Sequence, residues 1–525
     1  MNRTFHERYR QLNQSGSLKN SSSLLQLKED LKRFITTIKD SDKELQYQML
    51  LTPICYDIAR LSEDATIAET HWKECIEIIK TANFVTEAIL LYIGAYLNLG
   101  ILYNKQSENK KTLKFLAEAE TIYKKYKREA CDTKNFRQVD NLYKNITMIL
   151  GQVYQNLDIY PMSAKYNYIS MKLAFESKSY KHHELAWQSA NLSVFYVKSN
   201  NFKQARRYLA AANYFANEFK LVALPIHHQD VEMIFAYLNR YWAKYGIALL
   251  LESRKRLDGI VDMLTTDVNS IKLNDTDMPF LYDRLPLALY ESEITADYVT
   301  TYKDANKIFL FSKRCLEKAK KYCTPNDEIE IYVDVMKDLT NIYDQITYFK
   351  KDGKHEFEMQ NVRIKIYKEL LDNLNTQTHL SICRQCWYDM AMCYSIQIIL
   401  KSRLHGNDVQ QLTADAIECF EKVIASSKGG SSFFKPNLTL DEKILCMNAH
   451  YKLGILHVRS LHLNVPGSMK MIMLYFNTFV DECTKDEELR NIFKCDIESA
   501  RLEMMKALAS GTLFNYECET NKRNT

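Results

Sequence analysis

The chain has 525 residues, a formal net charge of +5 and 46% hydrophobic residues. No segment reaches the roughly 20 uncharged residues needed to cross a bilayer, which argues against insertion into a membrane. Residues 1–40 hold eight Lys or Arg against four Asp or Glu, so most of the excess positive charge lies near the N-terminus. The near-neutral remainder argues against a nucleic-acid-binding protein.

Few residues break up the chain, which contains only 13 Gly and 8 Pro. This composition favours long helices within one continuous helical body. The first ten residues carry charges and no apolar segment follows them, so no secretory signal is expected. The 13 cysteines are therefore predicted to be reduced thiols in the cytoplasm.

Residues 1–23 contain a short charged helix followed by a polar stretch. This composition predicts a flexible basic arm. Apolar residues then recur at intervals of three or four from Leu24, Leu27 and Leu31 onward, which predicts an amphipathic helix. Further helices are expected near 42–61 and 65–81.

One pattern occurs three times between residues 95 and 219: a Leu, a tiny residue and a Tyr, followed by small and large apolar residues on a second helix. The three copies are Leu99, Gly100 and Tyr103 with Leu116 and Ala119; Leu150, Gly151 and Tyr154 with Ser163 and Ala164; and Leu192, Ser193 and Tyr196 with Ala205, Leu209 and Ala212. The tiny residues allow two helices to approach closely. One helix pair leaves an apolar face uncovered, so several pairs must stack. The sequence predicts an all-α, right-handed helical-repeat solenoid of the tetratricopeptide (TPR) type.

The helical periodicity fails between Asp262 and Pro286, where Asn, Asp, Thr and Pro accumulate. A long loop is expected at 262–285. It would divide an N-terminal TPR-like array, residues 24–261, from a C-terminal helical-repeat array, residues 286–510. The polar residues 511–525 are expected to form a frayed tail.

Cys383 and Cys386 form a C-x2-C pair, the one candidate in the sequence for metal binding or thiol chemistry. No second short pair of Cys or His follows at a spacing suited to zinc, and both thiols share an apolar helix face with Met390 and Tyr394. No glycine-rich phosphate loop occurs in the chain. The sequence therefore predicts no metal, no cofactor and no enzymatic activity, with thiol chemistry at the two cysteines as the rival interpretation.

Basic clusters occur at Lys124–Lys125, Lys127–Arg128 and Lys318–Lys321. They lie at the ends or on the exposed faces of predicted helices. Such runs are commonly solvated faces, and cations near a helix C-terminus also complement the helix dipole.

The repeat region contains more than the packing pattern requires. The segments 97–103 (LNLGILY), 117–123 (AEAETIY) and 150–157 (LGQVYQNL) resemble the kinesin-family binding proteins. The resemblance extends over about 120 residues and continues through Trp187, the Ala190–Ser193 segment, Tyr196 and Asn213. The C-terminal half is similar in layout through 451–456 (YKLGIL).

This resemblance implies a non-enzymatic, cytoplasmic and cytoskeleton-associated regulator. It would bind kinesin motor domains, control their attachment to microtubules and support axonal microtubule organisation and outgrowth. Microtubule-associated proteins are further candidate partners. The alternative is a generic TPR scaffold that binds peptide segments of another multiprotein complex.

Candidate contact residues follow from the repeat geometry, because the first helix of each pair lines the concave face of such arrays. Counting from the tiny residues gives Asn104, Asn145, Gln152, Gln155, Trp187 and Lys198. Gln152 and Gln155 are difficult to explain as packing residues. Trp187 fits a core position as well as a groove position.

Overall fold

A computed structural model describes residues 2–14, 21–38, 40–81, 85–129, 135–178, 180–223, 228–259, 278–325, 329–403, 409–429, 433–462 and 467–523. The chain forms two compact units. The first comprises Met1–Ile234 and Asp262–Ser292, and the second comprises Phe235–Val261 and Glu293–Thr525. The units therefore have bounds different from those of the two predicted arrays.

The first unit is built from consecutive helices that pack on one another. They are α1 Asn2–Gln14, α2 Ser21–Ile35, α3 Ser41–Leu61, α4 Ala65–Thr81, α5 Ile89–Lys105, α6 Asn109–Glu129, α7 Phe136–Asn156, α8 Tyr160–Glu176, α9 His182–Lys198, α10 Phe202–Ala223 and, late in the chain, α12 Ala288–Glu291. The helix α11 His228–Leu257 begins here and belongs to the second unit from Phe235 onward.

The second unit continues the same architecture. Its other helices are α13 Tyr302–Tyr322, α14 Ile329–Phe349, α15 Gly353–Asp372, α16 Leu380–Arg403, α17 Val409–Ser427, α18 Leu440–His462, α19 Ser468–Lys485, α20 Glu487–Ile492 and α21 Lys494–Arg523. No named strand occurs in the described parts of the chain, and none of the helices found there is long and apolar enough to span a membrane. The predicted all-α helical-repeat fold is confirmed.

The tiny residues of the first two predicted repeats lie where paired helices cross, and Ser193 of the third repeat is buried. A Cβ atom built on Gly100 of α5 would lie 2.7 Å from Cγ of Leu116 on α6. On the next pair, the Ser163 hydroxyl of α8 donates a 2.8 Å hydrogen bond to the carbonyl of Gly151. These approaches leave no space for a larger side chain, which is why the pattern requires small residues there.

The Tyr of each repeat stacks on an aromatic ring of the second helix. The centroid distances are 5.4 Å for Tyr103 with Phe115, 5.6 Å for Tyr154 with Tyr166 and 5.4 Å for Tyr196 with Tyr208. Because each partner follows its Tyr by the same interval, the three helix pairs share one register.

The turn between the paired helices is also repeated. Ser107, Asp158 and Asn200 each follow the tiny residue by the same interval, and each has a left-handed backbone with φ of 57–59°. The amide of the next residue donates to the carbonyl of the repeat Tyr, for example Ile159 to Tyr154 at 2.9 Å. This 6→1 bond is the mark of a Schellman motif, which ends the first helix.

The predicted flexible arm, residues 1–23, is helical where the structure describes it. Phe5 of α1 packs 5.7 Å from Phe34, centroid to centroid, and the Tyr9 hydroxyl donates a 2.6 Å hydrogen bond to Asp57 of α3. These contacts hold α1 against the first unit, and residues 15–20 of the predicted arm lie outside the described residues. The apolar positions of this short helix provide the anchor.

Residues 278–285 of the expected mid-chain loop, 262–285, form no helix or strand but pack against the repeats, and residues 260–277 lie outside the described residues. Met278, Phe280 and Tyr282 alternate as buried side chains, and Tyr282 is 1% exposed. The Tyr282 ring packs 5.1 Å from Phe215 of α10. We call residues 278–292 the connecting segment.

The expected frayed tail, residues 511–525, differs from the structure as well. Helix α21 continues to Arg523 and so includes most of the residues predicted as a tail. Polar composition alone therefore did not end this helix, because good helix formers such as Glu, Lys and Leu continue past Gly511.

Candidate partner-binding surface

Three of the predicted contact residues lie on one exposed stripe of α7. Asn145, Gln152 and Gln155 are all exposed, and the apolar side chain of Met148 lies between them in the helical register. The opposite face of α7 is buried through Val139, Ile146 and Val153 among others. The stripe is therefore an exposed polar surface with an apolar centre.

Lys198 lies at the end of α9 and is also exposed. Its ammonium group lies 3.9 Å from the centre of the Tyr160 ring, at the first residue of α8. A cation over an aromatic face is attracted by the ring quadrupole. This contact joins Lys198 to the turn that follows Gln155, so the structure brings these two predicted residues to one region.

The α7–α8 turn itself exposes apolar side chains that the sequence reasoning missed. Leu157, Ile159 and Tyr160 are each more than a third exposed. The Tyr160 hydroxyl donates a 2.8 Å hydrogen bond to Asp158, and this bond raises the pKa of Tyr160. Exposed apolar residues grouped at a polar rim are typical of protein interaction sites. In the sequence they are three apolar residues, interrupted only by Asp158, at a turn between two helices.

The remaining two candidates are half-buried. Asn104 lies in the last turn of α5, which packs against α7. Trp187 lies on α9 with part of its ring covered. Trp187 is therefore neither a full core residue nor a fully open groove residue. We call the α7 stripe, the α7–α8 turn and Lys198 the α7–α9 surface.

The rival thiol chemistry lacks a suitable environment. Cys383 and Cys386 are both fully buried in α16. Burial raises the pKa of Cys386 to about 12 and also raises the pKa of Cys383. A thiol with a raised pKa stays protonated and is a poor nucleophile and metal ligand at neutral pH.

Among the described residues, one group has side chains arranged closely enough to hold a metal: Cys55, His71 and Glu74. The ammonium group of Lys28 lies 2.8 Å from His71 Nδ1 and 2.5 Å from a Glu74 oxygen. Burial would raise the pKa of Glu74, but hydrogen bonds from His71, Lys28 and Lys32 lower it. This cluster already contains a protein cation, so its geometry supports a structural ion pair.

Comparisons with known proteins identify related chains. A family model described as the KIF-1 binding protein C terminal matches residues 183–510. A KIF-binding protein of Drosophila melanogaster is 26% identical and aligns over 92% of this chain and 90% of its own length. The KIF-binding protein of Homo sapiens is 21% identical over 85% of this chain and 80% of its own length.

A solved structure named kinesin binding protein has a similar fold. It superimposes with a TM-score of 0.52 at 16% identity, and the match covers 93% of this chain and 97% of that one. At this identity the likeness concerns the fold alone. The family model matches more than half of the chain, and the chain therefore belongs to the KIF-1 binding protein family.

Proposed function

We propose that this protein is a non-enzymatic kinesin-binding regulator. The observation that carries the proposal is the similarity to KIF-binding proteins over most of the chain, in relatives from insects to mammals. The raised thiol pKa values and the cation within the Cys55 cluster support an adaptor over an enzyme. The partner is the kinesin motor domain.

The α7–α9 surface is our candidate contact region. It combines exposed amide side chains at Gln152 and Gln155 with exposed apolar groups in the α7–α8 turn. Apolar groups contribute affinity when water leaves them, and amides contribute directional hydrogen bonds. A few residues in such a patch carry most of the binding energy.

The test is the affinity of an isolated kinesin motor domain for Gln152→Ala, Gln155→Ala and Trp187→Ala combined. We expect a loss of at least about tenfold. Because Trp187 is half-buried, a second variant combines Gln152→Ala, Gln155→Ala and Met148→Ser, whose side chains are all exposed. It should weaken binding with no change in the melting temperature.

A matched control changes Glu118→Ala and Thr121→Ala, which are exposed on α6, the second helix of the preceding pair. It should bind the motor domain as the unchanged protein does. Equal affinity in all variants would place the interface elsewhere on the molecule, and no affinity of the unchanged protein for any motor domain would reject the function.

We further propose that binding controls the attachment of the motor to microtubules and so supports axonal microtubule organisation and outgrowth. A motor held by this protein should sediment less with microtubules, in proportion to occupancy. If the motor binds this protein and microtubules at the same time with undiminished affinity, the protein is a scaffold and not a regulator of attachment.

A further inference from the structure

Helix α13 presents a stripe of exposed side chains along its whole length. The stripe contains Lys303, Lys307, Leu310, Arg314, Lys318 and Lys321. At a rise of 1.5 Å per residue it is about 27 Å long. Five of its six side chains are cations, and the sixth, near the centre, is an apolar side chain that is 54% exposed.

Carboxylates neutralise only part of this charge. Lys307 pairs with Asp304 at 2.9 Å, and Arg314 pairs with Glu293 at 2.9 Å. Within the described parts of the chain, no carboxylate lies in ion-pair contact with the other three lysines of the stripe. Residues 303–321 hold seven Lys or Arg against two Asp or Glu, so this segment alone carries as much net charge as the entire chain.

Helix stability explains only the last part of the stripe. Lys318 and Lys321 lie near the C-terminus of α13, where cations complement the helix dipole. Lys303 lies in the first turn, where a positive charge opposes the dipole. Leu310 is more than half exposed, so it adds little to the core. The helix dipole therefore does not explain Lys303, and core packing does not explain the exposure of Leu310.

Helix α6 of the first unit carries a stripe in the same register. Its corresponding residues are Lys110, Lys114, Ala117, Thr121, Lys125 and Arg128. Cations occupy the outer four positions in both helices, but α6 has Ala117 in place of Leu310 and Thr121 in place of Arg314. The α6 stripe therefore lacks the apolar side chain and provides a control of similar charge within the same molecule.

We propose that the α13 stripe binds an acidic polypeptide segment that places an apolar residue against Leu310. Carboxylates of the segment would pair with Lys303, Lys318 and Lys321, and the apolar contact would fix its position along the helix. Charge pairs at an exposed face contribute mainly specificity and association rate, while the apolar contact adds affinity. This inference does not depend on the proposed kinesin binding.

Other polyanions fit the stripe less well. A membrane surface would require several apolar side chains to enter the lipid, and the stripe offers one. Single-stranded nucleic acid binds through aromatic rings that stack on bases, and none of the six stripe side chains is aromatic. The remaining class with matching charge and one apolar anchor is an acidic polypeptide.

The experiment measures binding of two fluorescent peptides to the full chain at low salt. Each peptide has about nine residues, since an extended segment of this length spans the stripe. Both are rich in Glu; one has Leu at its centre and the other Ser. Three variants are compared: Lys303→Gln, Lys318→Gln and Lys321→Gln combined; Leu310→Ser; and the control Lys110→Gln, Lys114→Gln and Lys125→Gln combined.

We expect the α13 charge variant to weaken binding of the Leu peptide about tenfold and the α6 control to change it less than about twofold. Leu310→Ser should weaken binding of the Leu peptide and leave binding of the Ser peptide unchanged. All changed side chains are exposed, and circular dichroism should report an unchanged helix content.

Three results would overturn the proposal. The first is an equal loss of affinity in the α6 and α13 charge variants, which would mean general attraction of polyanions. The second is equal affinity of the unchanged protein for the Leu and Ser peptides. The third is tighter binding of an RNA oligonucleotide, or of vesicles containing phosphatidylserine, than of the Leu peptide.

Discussion

The repeat helices α5–α10 and the connecting segment, residues 278–292, belong to the same unit but are organised differently. The helix pairs repeat one register, with a tiny residue, a stacked Tyr and a left-handed turn residue at constant intervals. The connecting segment contains one four-residue helix and no repeat. Its Tyr282 is nevertheless among the most completely buried large side chains of the molecule.

Helical periodicity and burial are therefore separate properties of this chain. The repeats bury residues that are near one another in sequence, so local spacing reveals them. The connecting segment buries Phe280 and Tyr282 against helices formed by residues much earlier in the chain. A segment can thus be irregular and still be essential to a core.

The largest expected loss of stability comes from removing a buried ring of the connecting segment. Tyr282→Ala should lower the free energy of unfolding of the first unit by about 3–5 kcal/mol, because it empties a site enclosed by Phe175, Tyr208 and Phe215. Denaturant unfolding followed by circular dichroism measures the change. For the same reason, deletion of Met278–Asp283 should unfold this unit or cause aggregation.

The control for this prediction is Leu289→Ala in the same segment. Leu289 is 73% exposed, so its removal should change the free energy of unfolding by less than about 0.5 kcal/mol. A stable Tyr282→Ala protein would mean that the connecting segment only rests on the surface of the repeats.

The sequence allowed the helix pairs to be predicted for a physical reason. Gly100, Gly151 and Ser193 mark close crossings that are fixed by residues within one pair. The packing of the connecting segment depends on tertiary contacts with residues distant in sequence, as in Tyr208 with Phe280, and helical periodicity does not reveal such contacts. The same limit applies to the α7–α9 surface, where Gln152 and Gln155 were predicted but the exposed turn beside them was not.

In the helix repeats, larger side chains at the helix crossings are expected to lower stability. Gly100→Leu and Ala205→Leu should each lower the free energy of unfolding by about 1–3 kcal/mol, because the added carbons must enter a filled crossing. Thermal melts provide the measurement. Ala117→Leu, at an exposed position of α6, is the matched control and should leave the melting temperature unchanged.

A smaller loss of stability is expected where the connecting segment contacts the repeat helices. Arg207 of α10 places its guanidinium 3.9 Å from the centre of the Phe280 ring and pairs with Asp283. Arg207→Lys keeps the charge but loses the planar group that stacks on the ring. We expect a loss of about 1 kcal/mol in denaturant unfolding.

The test of this stacking contact is a double-mutant cycle with Phe280→Leu. If the ring and the guanidinium interact, the effect of Arg207→Lys should largely disappear in the Phe280→Leu background. If the two changes in the free energy of unfolding simply add, Arg207 acts through its ion pair with Asp283 and not through the ring.

The smallest expected effect concerns the repeated turns. Ser107, Asp158 and Asn200 adopt left-handed backbones that cost Asn and Asp little and other residues with a side chain more. Ser107→Gly should therefore raise the free energy of unfolding by less than about 1 kcal/mol, since Gly adopts this backbone freely but loses more entropy on folding. Asn200→Gly should have almost no effect, and Ser107→Val should be destabilising because a β-branched residue is strained at positive φ. Melting temperatures in this order, Gly above Ser above Val at position 107, would show that the turn backbone contributes directly to repeat stability. An unchanged melting temperature for Ser107→Val would mean that the helix pairing alone sets the turn and that the shared left-handed residue follows from the packing of the two helices.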